Sequence, residues 1–73
     1  MKGILKKIEK RYKVKLPKQV VMVDYGEIDD LYIRFKHVDK PIGEPSEDFK
    51  VIFFYTNGNK IVALEIRDVK DFI

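Results

Sequence analysis

The sequence predicts an α+β fold, in which an N-terminal helix packs on a four-stranded, mainly antiparallel sheet. A lysine-rich amphipathic segment opens the chain, and four runs rich in β-branched and aromatic residues follow it. The last two runs flank Asn57-Gly58, a dipeptide that readily adopts the positive φ angles of a tight hairpin turn. We therefore expect a single domain over residues 1–73, with a basic helical head at 1–17 and the sheet at 19–68.

The head predicts an amphipathic helix over about residues 2–14. At 100° per residue, apolar side chains collect on one face and lysines on the opposite face. The apolar face consists of Ile4, Leu5, Ile8 and Tyr12. The lysine face consists of Lys2, Lys6, Lys10 and Lys13, with Lys7 at its edge. Pro17 is expected to end the element, because its ring clashes with a preceding helical turn.

Two strands are predicted between the head and the hairpin. Residues 19–24 are apolar on both sides, which is typical of a central or well-covered strand. Residues 30–36 alternate between apolar and polar side chains, as expected of a strand with one wet face. A turn at residues 25–27 joins the two strands. Residues 37–48 contain proline and glycine, and we expect a loop there.

The hairpin of residues 49–68 predicts a specific register. With the Asn-Gly dipeptide as a two-residue loop, the numbers of paired residues sum to 115. Lys50 then faces Glu65, and Asp48 faces Arg67. Opposite charges across a ladder contribute roughly 0.2–1 kcal/mol each, so the two pairs favour this alignment.

This register divides the hairpin into two faces. The first is apolar along most of its length, with Phe49, Val51, Phe53 and Tyr55 opposite Ile66, Leu64, Val62 and Lys60. The second is apolar in its middle, at Ile52, Phe54, Ile61 and Ala63. A sheet with one wet face should alternate cleanly, so this middle is either covered or a contact surface. The C-terminal Phe72-Ile73 segment, after a turn capped by Asp68, is one candidate cover.

Composition limits the class of protein. The 73 residues lack cysteine, which excludes disulfide and thiolate–metal staples, so packing or oligomerisation must stabilise this small core. The chain has neither an apolar run long enough to span a bilayer nor a signal-peptide pattern. We expect a cytoplasmic protein without a membrane partner. The abundance of Lys, Ile and Val, with few Asn and Gln, is typical of thermophile proteins.

Charge is distributed unevenly along the chain. Residues 1–18 hold eight basic residues and one acidic residue, whereas 19–73 hold seven basic and eleven acidic residues. Lysines spaced four apart on a helix repel one another at a cost of roughly 0.2–0.5 kcal/mol per pair. Tolerance of this cost points to an anionic partner such as nucleic-acid phosphate. A solvated lysine face without a partner is nevertheless the favoured interpretation.

Short motifs in residues 25–68 carry a family resemblance. They are Tyr25, Asp29-Asp30-Leu31-Tyr32-Ile33-Arg34-Phe35, Val51-Ile52, Tyr55, Gly58, Lys60-Ile61-Val62 and Leu64-Glu65-Ile66 followed by Asp68. Through them the chain resembles domain-of-unknown-function family 2283, small proteins of bacteria and archaea. The resemblance implies a small sheet domain without an established activity. Some such proteins look like antitoxin partners of small RelE-like toxins. The basic head lies outside the usual core of that family, and the connecting loop here is Pro-rich.

Catalytic residue types are scarce. A Cys–His pair is impossible, and a Ser–His–Asp set would need Ser46 and His37, both in or beside one loop. Four carboxylates cluster around one turn, at Asp24, Glu27, Asp29 and Asp30. Oxygen ligands of this kind can bind Mg²⁺ or Ca²⁺, but their spacing fits no EF-hand, and turn chemistry is the favoured interpretation. We expect neither a cofactor, nor a metal, nor catalysis.

Two functional hypotheses remain. The first is a non-enzymatic interaction domain, with the antitoxin-like partner of a small toxin as its narrower form. It would bind another protein or a second copy through Ile52, Phe54, Ile61 and Ala63. The second is a small nucleic-acid-binding protein that uses Lys2, Lys6, Lys7, Lys10 and Lys13.

Overall fold

The computed structural model describes residues 2–56 and 58–72, and of Lys2 it describes the backbone. The elements in chain order are helix α1 (Lys2–Tyr12), strands β1 (Met22–Tyr25), β2 (Leu31–Arg34), β3 (Ile42–Pro45), β4 (Val51–Thr56) and β5 (Lys60–Ile66), and a short 3₁₀ helix (Val69–Phe72). Neighbouring strands are antiparallel, in the order β1-β2-β5-β4-β3. The predicted α+β class is confirmed.

Strand β3 corrects the predicted strand number, because residues 2–56 and 58–72 form five strands and not four. It lies inside the stretch 37–48, where the sequence predicts a loop. Gly43 and Pro45 disfavour a central strand. β3 is an edge strand, however, where the N–H that proline lacks can point away from the sheet, so no hydrogen bond between strands is lost. A Cβ at Gly43 would lie 3.0 Å from the ring of Phe54, so the glycine lets that ring pack against the strand.

A tight turn at residues 46–50 joins β3 to β4. The Phe49 N–H donates to the Ser46 carbonyl oxygen (3.0 Å), and the Ser46 N–H donates to the Val51 carbonyl oxygen (2.7 Å). Phe49 has a φ of 60° and is 66 % exposed. The prediction that Phe49 belongs to the apolar core face is therefore wrong, because this residue supplies the left-handed position of the turn.

The register of the β4–β5 hairpin also differs from the predicted one. Along β4 as far as Phe54, the residue numbers of each cross-strand pair add up to 117. A β-bulge follows, and beyond it the numbers add up to 116. Thr56 consequently pairs with Lys60, so three residues separate the last pair instead of the predicted two. Asn57 itself lies outside the described residues.

The shifted register removes both predicted charge pairs. The Lys50 ammonium binds Asp71 at 3.0 Å instead of facing Glu65, and Asp48 contacts helix α1 instead of Arg67. Before the bulge, the observed register differs from the predicted register by two residues. Since side chains along a strand alternate with a period of two, the side chains before the bulge keep their predicted faces. Val51 and Phe53 are accordingly buried in the core.

The two strands before the hairpin are partly as predicted. In β2, Leu31 and Ile33 are buried while the intervening side chains are half-buried, so the predicted alternation is confirmed. β1 begins at Met22 and lies at the edge of the sheet, so the prediction of a central or well-covered strand is wrong. A continuous apolar run identifies a strand but does not say what lies beside it.

Helix α1 ends earlier than the sequence predicts. Lys13 adopts a left-handed φ of 56°, and the Val14 N–H donates to the Glu9 carbonyl oxygen at 3.2 Å. This is a Schellman-type ending, so Pro17 is not the terminator. The Glu9 carboxylate then accepts a hydrogen bond from the Leu16 N–H at 2.8 Å, which holds the following segment against the helix.

The core lies between α1 and the facing side of the sheet. Its buried members are Ile8, Leu16, Leu31, Ile33, Phe35, Val51, Phe53, Leu64, Ile66 and Phe72. The predicted apolar face of the helix is confirmed, since Ile8 is fully buried and its neighbours on that face pack around it. Asp68 caps the 3₁₀ helix by accepting a hydrogen bond from the Lys70 N–H at 3.3 Å. Phe72 therefore covers the helix side of the sheet, and Ile73 lies outside the described residues.

The Asp48 carboxylate joins the helix to the β3–β4 turn. It accepts hydrogen bonds from the Ser46 hydroxyl (2.6 Å), the Lys50 N–H (3.1 Å) and the Tyr12 hydroxyl (3.0 and 3.1 Å). Arg11 adds an ion pair of 3.0 Å. One side chain thus connects two segments that are 36 residues apart in sequence.

These contacts change the pKa of the Asp48 carboxyl and the pKa of the Tyr12 hydroxyl. Partial burial raises the pKa of Asp48, but the hydrogen bonds from Ser46, Lys50 and Tyr12 and the charge of Arg11 outweigh it and lower the pKa to about 2. Burial and the hydrogen bond to Asp48 raise the pKa of the Tyr12 hydroxyl.

We expect Asp48→Asn to lower the free energy of unfolding by about 1 kcal/mol at pH 7. Charge-assisted hydrogen bonds are lost, and solvent already screens part of their strength. Since the folded pKa of about 2 lies below the ordinary value of 3.8, the stabilisation is complete above pH 3.8 and disappears as pH falls through about 2. Urea unfolding at pH 7 and near pH 2 measures both effects. The exposed Asp39→Asn is the matched control, and equal losses in both variants would contradict this role for Asp48.

Candidate interaction surfaces

The sheet has a second face, directed away from α1, which we call the outer face. Cross-strand pairing defines two rows of outer-face residues. One row is Met22, Arg34, Ala63, Phe54 and Gly43, and the other is Asp24, Tyr32, Glu65, Ile52 and Pro45. Three of the predicted interface residues therefore lie together on this face: Ile52, Phe54 and Ala63.

Ile61, the remaining predicted interface residue, belongs to the other side of the sheet. It pairs with Tyr55 beyond the bulge and packs against the core cluster. The bulge inserts an extra residue into β5, which reverses the facing of the side chains beyond it. Ala63 stays on the outer face but is 1 % exposed, between Arg34 and Phe54.

The outer face is built around Phe54. Its ring packs edge-on against Tyr32, with centroids 5.8 Å apart, and lies against Gly43. The Arg34 guanidinium lies 5.4 Å from the centre of the Tyr32 ring and donates two hydrogen bonds to its hydroxyl, at 3.0 and 3.3 Å. These side chains half-bury one another, so much of the face is already engaged within the chain.

The segment 36–41 starts its crossing from β2 to β3 beside the outer face. It must pass the β4–β5 hairpin, because β2 and β3 lie on opposite sides of that hairpin. His37 Nδ1 lies 3.3 Å from Arg34, an outer-face residue, which puts the start of the crossing on this side. Val38, which follows, is half-buried. Use of the outer face as an interface stays a prediction.

Exposed apolar side chains concentrate instead at the edge formed by β1. Val21, Val23 and Tyr25 are exposed there, and Ile28 at the tip of the following loop is 90 % exposed. Val23 and Tyr25 lie opposite buried residues of β2, so they extend the helix side of the sheet beyond its covered part.

The backbone of β1 is also open on its outward side. The Gly26 N–H donates to the Asp30 carbonyl oxygen at 3.0 Å, which fixes the alternation of the β1–β2 ladder. Alternate residues bond towards β2, so the N–H and C=O groups of Val23 and Tyr25 point away from it. Within 2–56 and 58–72, no residue bonds to these outward groups.

The opposite edge, β3, is protected. The Ser46–Val51 hydrogen bond fixes the alternation of the β3–β4 ladder, which gives Pro45 an outward position. Proline has no N–H, so an incoming strand finds no donor there. The two edges of this sheet therefore differ in their capacity to bind a further strand.

The lysine face of α1 is exposed. Its described side chains are Lys6, Lys7 and Lys10, with Lys13 just beyond the helix end. In the described part of the chain, none of these ammonium groups forms an ion pair with a carboxylate. The Lys2 side chain lies outside the described atoms.

Two of the four carboxylates around the β1–β2 turn, those of Asp29 and Asp30, have neighbours within the chain. The Asp29 carboxylate binds the Lys70 ammonium at 3.3 Å, and Asp30 lies beside Glu65. Burial raises the pKa of Glu65, a hydrogen bond with Asp30 and its negative charge raise it further, and Arg67 opposes the shift. Among the described residues, no group of three or more His, Cys, Asp or Glu is arranged to hold a metal ion.

The serine and the histidine that a serine hydrolase would need form other contacts in this structure. The Ser46 hydroxyl donates to Asp48 (2.6 Å) and accepts from the Val51 N–H (3.2 Å). His37 is exposed beside Arg34. The serine contacts stabilise the β3–β4 turn, and the histidine contact lies at the start of the segment that joins β2 to β3.

Comparison with known proteins gives no relative. No protein-family model, no curated protein and no solved structure matches the chain. The resemblance to domain-of-unknown-function family 2283 therefore stays a prediction. Over the described ranges, no helix is long and apolar enough to cross a membrane.

Sequence reasoning missed the open edge of β1. The available signal was the run Val20, Val21, Met22 and Val23, which has neither proline nor lysine to block an edge. That signal is ambiguous, because a continuous apolar run is also typical of a central strand.

We expect Glu65→Gln to raise the melting temperature at pH 7 to 8. The raised pKa means that ionising Glu65 costs stability, and glutamine removes that cost. The stabilising contribution of protonated Glu65 is complete below its ordinary pKa of 4.5 and is lost as pH rises through the folded value, so the variant should match the wild type below pH 4.5. Thermal melts across this range test the effect. The exposed Glu47→Gln is the control, and a pH-independent gain would contradict the assignment.

Proposed function

We propose that this chain is a non-enzymatic protein-association domain that accepts an extended strand at the free edge of β1. The observation that carries the proposal is the set of outward N–H and C=O groups at Val23 and Tyr25, beside exposed apolar side chains. A strand added there gains main-chain hydrogen bonds and buries those side chains.

The contrast between the two edges supports this choice. Natural sheets block exposed edges with proline, lysine, bulges or a covering segment. β3 carries Pro45, whereas the β1 sequence Met22–Tyr25 has neither proline nor lysine and is protected by its short length and the charge of Asp24. An edge that exposes Val23 and Tyr25 together with outward backbone groups is still a liability to a protein without a partner, so its presence favours a partner that uses it.

The incoming strand belongs to a second copy of the chain or to another protein. In a homodimer, β1 would pair with the partner's β1 around a two-fold axis and continue the sheet across both copies. Association also adds buried apolar area to a fold with little of its own. The antitoxin-like role is a narrower form of the same proposal, and its support is the family resemblance.

Sedimentation velocity of lysine variants tests the docking edge. We expect Val23→Lys to abolish dimerisation through β1 and so to lower the association state relative to the wild type, because a charged side chain on an edge strand opposes pairing. Ile42→Lys is the matched control on β3, where the side chain is 62 % exposed, and it should associate like the wild type. Equal behaviour of the two variants would contradict β1 as the docking edge. Loss of association in Ile52→Lys instead would move the interface to the outer face.

A second candidate function, nucleic-acid binding, is favoured by the unpaired lysines of α1. Arg11, Lys50 and Lys70 each bind a carboxylate, whereas the helix lysines have no such partner among the described residues. Ammonium groups without an intramolecular counter-ion are those that can release counter-ions from a phosphate backbone.

Mobility shift at two salt concentrations tests this alternative. We expect wild-type binding to duplex or single-stranded nucleic acid at about 50 mM salt and its loss at about 300 mM, because the contact is electrostatic. Lys6→Glu should weaken binding and lower the slope against log salt by about 1, since one phosphate contact is lost. Lys40→Glu makes the same charge change away from the helix as a control. Absence of wild-type binding at low salt would eliminate this function.

A further inference from the structure

A basic, apolar cleft lies at the end of the sheet where β2 and β4 end and β5 begins. Its volume is about 1020 Å³, and its apolar floor includes Leu16, Phe35, Tyr55 and Ile61. Four lysines surround it: Lys15, Lys18, Lys36 and Lys60. None of the described lining residues is acidic, and none of these lysines is in an ion pair with a described residue. We call this site the lysine-rimmed cleft.

The opposite chemistry is present on the β1–β2 loop, residues 26–30, which we call the acidic tip. Ile28 is 90 % exposed there, and acidic residues flank it as Glu27 and Asp29. The Asp29 carboxylate is in an ion pair with Lys70, whereas Glu27 has no ion-pair partner among the described residues. A large aliphatic side chain that is almost fully exposed beside the Glu27 carboxylate suits a cleft with an apolar floor and a basic rim.

The acidic tip is held in a fixed shape. Within the loop, the Gly26 N–H donates to the Asp30 carbonyl oxygen (3.0 Å) and the Asp30 N–H donates to the Glu27 carbonyl oxygen (2.9 Å). From outside the loop, the Val69 N–H donates to the Asp29 carbonyl oxygen (2.9 Å). A preordered loop loses little conformational entropy when it docks.

The two sites lie at opposite ends of β2. The acidic tip directly precedes Leu31, and the cleft includes Phe35 and Lys36, which directly follow Arg34. A single copy therefore cannot place its own tip in its own cleft, whereas two copies arranged head to tail can do so.

We propose that the acidic tip of one copy docks into the lysine-rimmed cleft of a second copy, with Ile28 on the apolar floor and Glu27 against the rim lysines. The contact is heterologous, because different surfaces of the two copies meet, and it builds rings or open chains. It uses other residues than strand addition at β1 and does not depend on that function.

The experiment uses two complementary variants, both carrying Val23→Lys so that association through β1 is removed. The tip variant adds Ile28→Asn and keeps its cleft, and the cleft variant adds Lys18→Glu with Lys36→Glu and keeps its tip. Each variant alone should sediment as a monomer. An equimolar mixture should form a dimer that grows no further, because each pair has one intact contact.

Matched controls separate this contact from general surface effects. In the same background, Ile42→Asn should self-associate like its parent, as should Lys6→Glu with Lys10→Glu, because they repeat the chemical changes elsewhere. Raising salt from about 50 to about 500 mM should weaken association at least tenfold, since the rim contacts are screened. Circular dichroism verifies folding of every variant.

Two results would overturn the proposal. One is a Val23→Lys parent that stays monomeric at about 1 mM protein and about 50 mM salt, where even a weak contact should populate dimers. The other is a mixture of tip and cleft variants without a dimer, while the control variants associate. Neither result bears on strand addition at β1, which the single Val23→Lys comparison tests separately.

Discussion

The structure depends on the Asp48 carboxylate, which four donors approach from two distant segments. By binding Ser46 and the Lys50 N–H it closes the β3–β4 turn, and by binding Tyr12 and Arg11 it docks the end of α1 on that turn. A chain of this size buries little apolar area, so a charge-assisted network that joins two elements has a large share in its stability. This contact fixes the end of α1 against the turn that leads out of the edge strand β3.

The docked helix also decides which surfaces remain open. α1 covers the side of β2, β4 and β5 that holds the core. β1 lies beyond this cover, which leaves Val23 and Tyr25 exposed with outward backbone groups. The functional proposals concern this uncovered periphery: an edge that can accept a strand, a lysine face, and an acidic tip that matches a basic cleft.

Most elements of the fold were predictable, whereas their ends and partners were not. The amphipathic period places α1, and the alternation of Leu31 and Ile33 places β2 with the correct facing. β3 was missed because Pro41, Gly43 and Pro45 are typical of a loop, although an edge strand tolerates them. The end of α1 was misplaced because Lys13 adopts a positive φ angle without being glycine. Turn positions of this kind have no strong sequence signal, since glycine is the residue that usually marks them.

The sequence by itself determined the α+β class, the inner face of the hairpin before its bulge and the lysine face of the helix, because hydrophobic periodicity follows directly from helix and strand geometry. The tertiary structure alone decided the hairpin register, the side on which Ile61 lies, the partners of Asp48 and the exposure of β1. The register of the hairpin depends on a bulge beyond Phe54, and the exposure of β1 depends on the order of the strands in the sheet. Both arise from contacts between distant segments, which no local pattern of residues encodes.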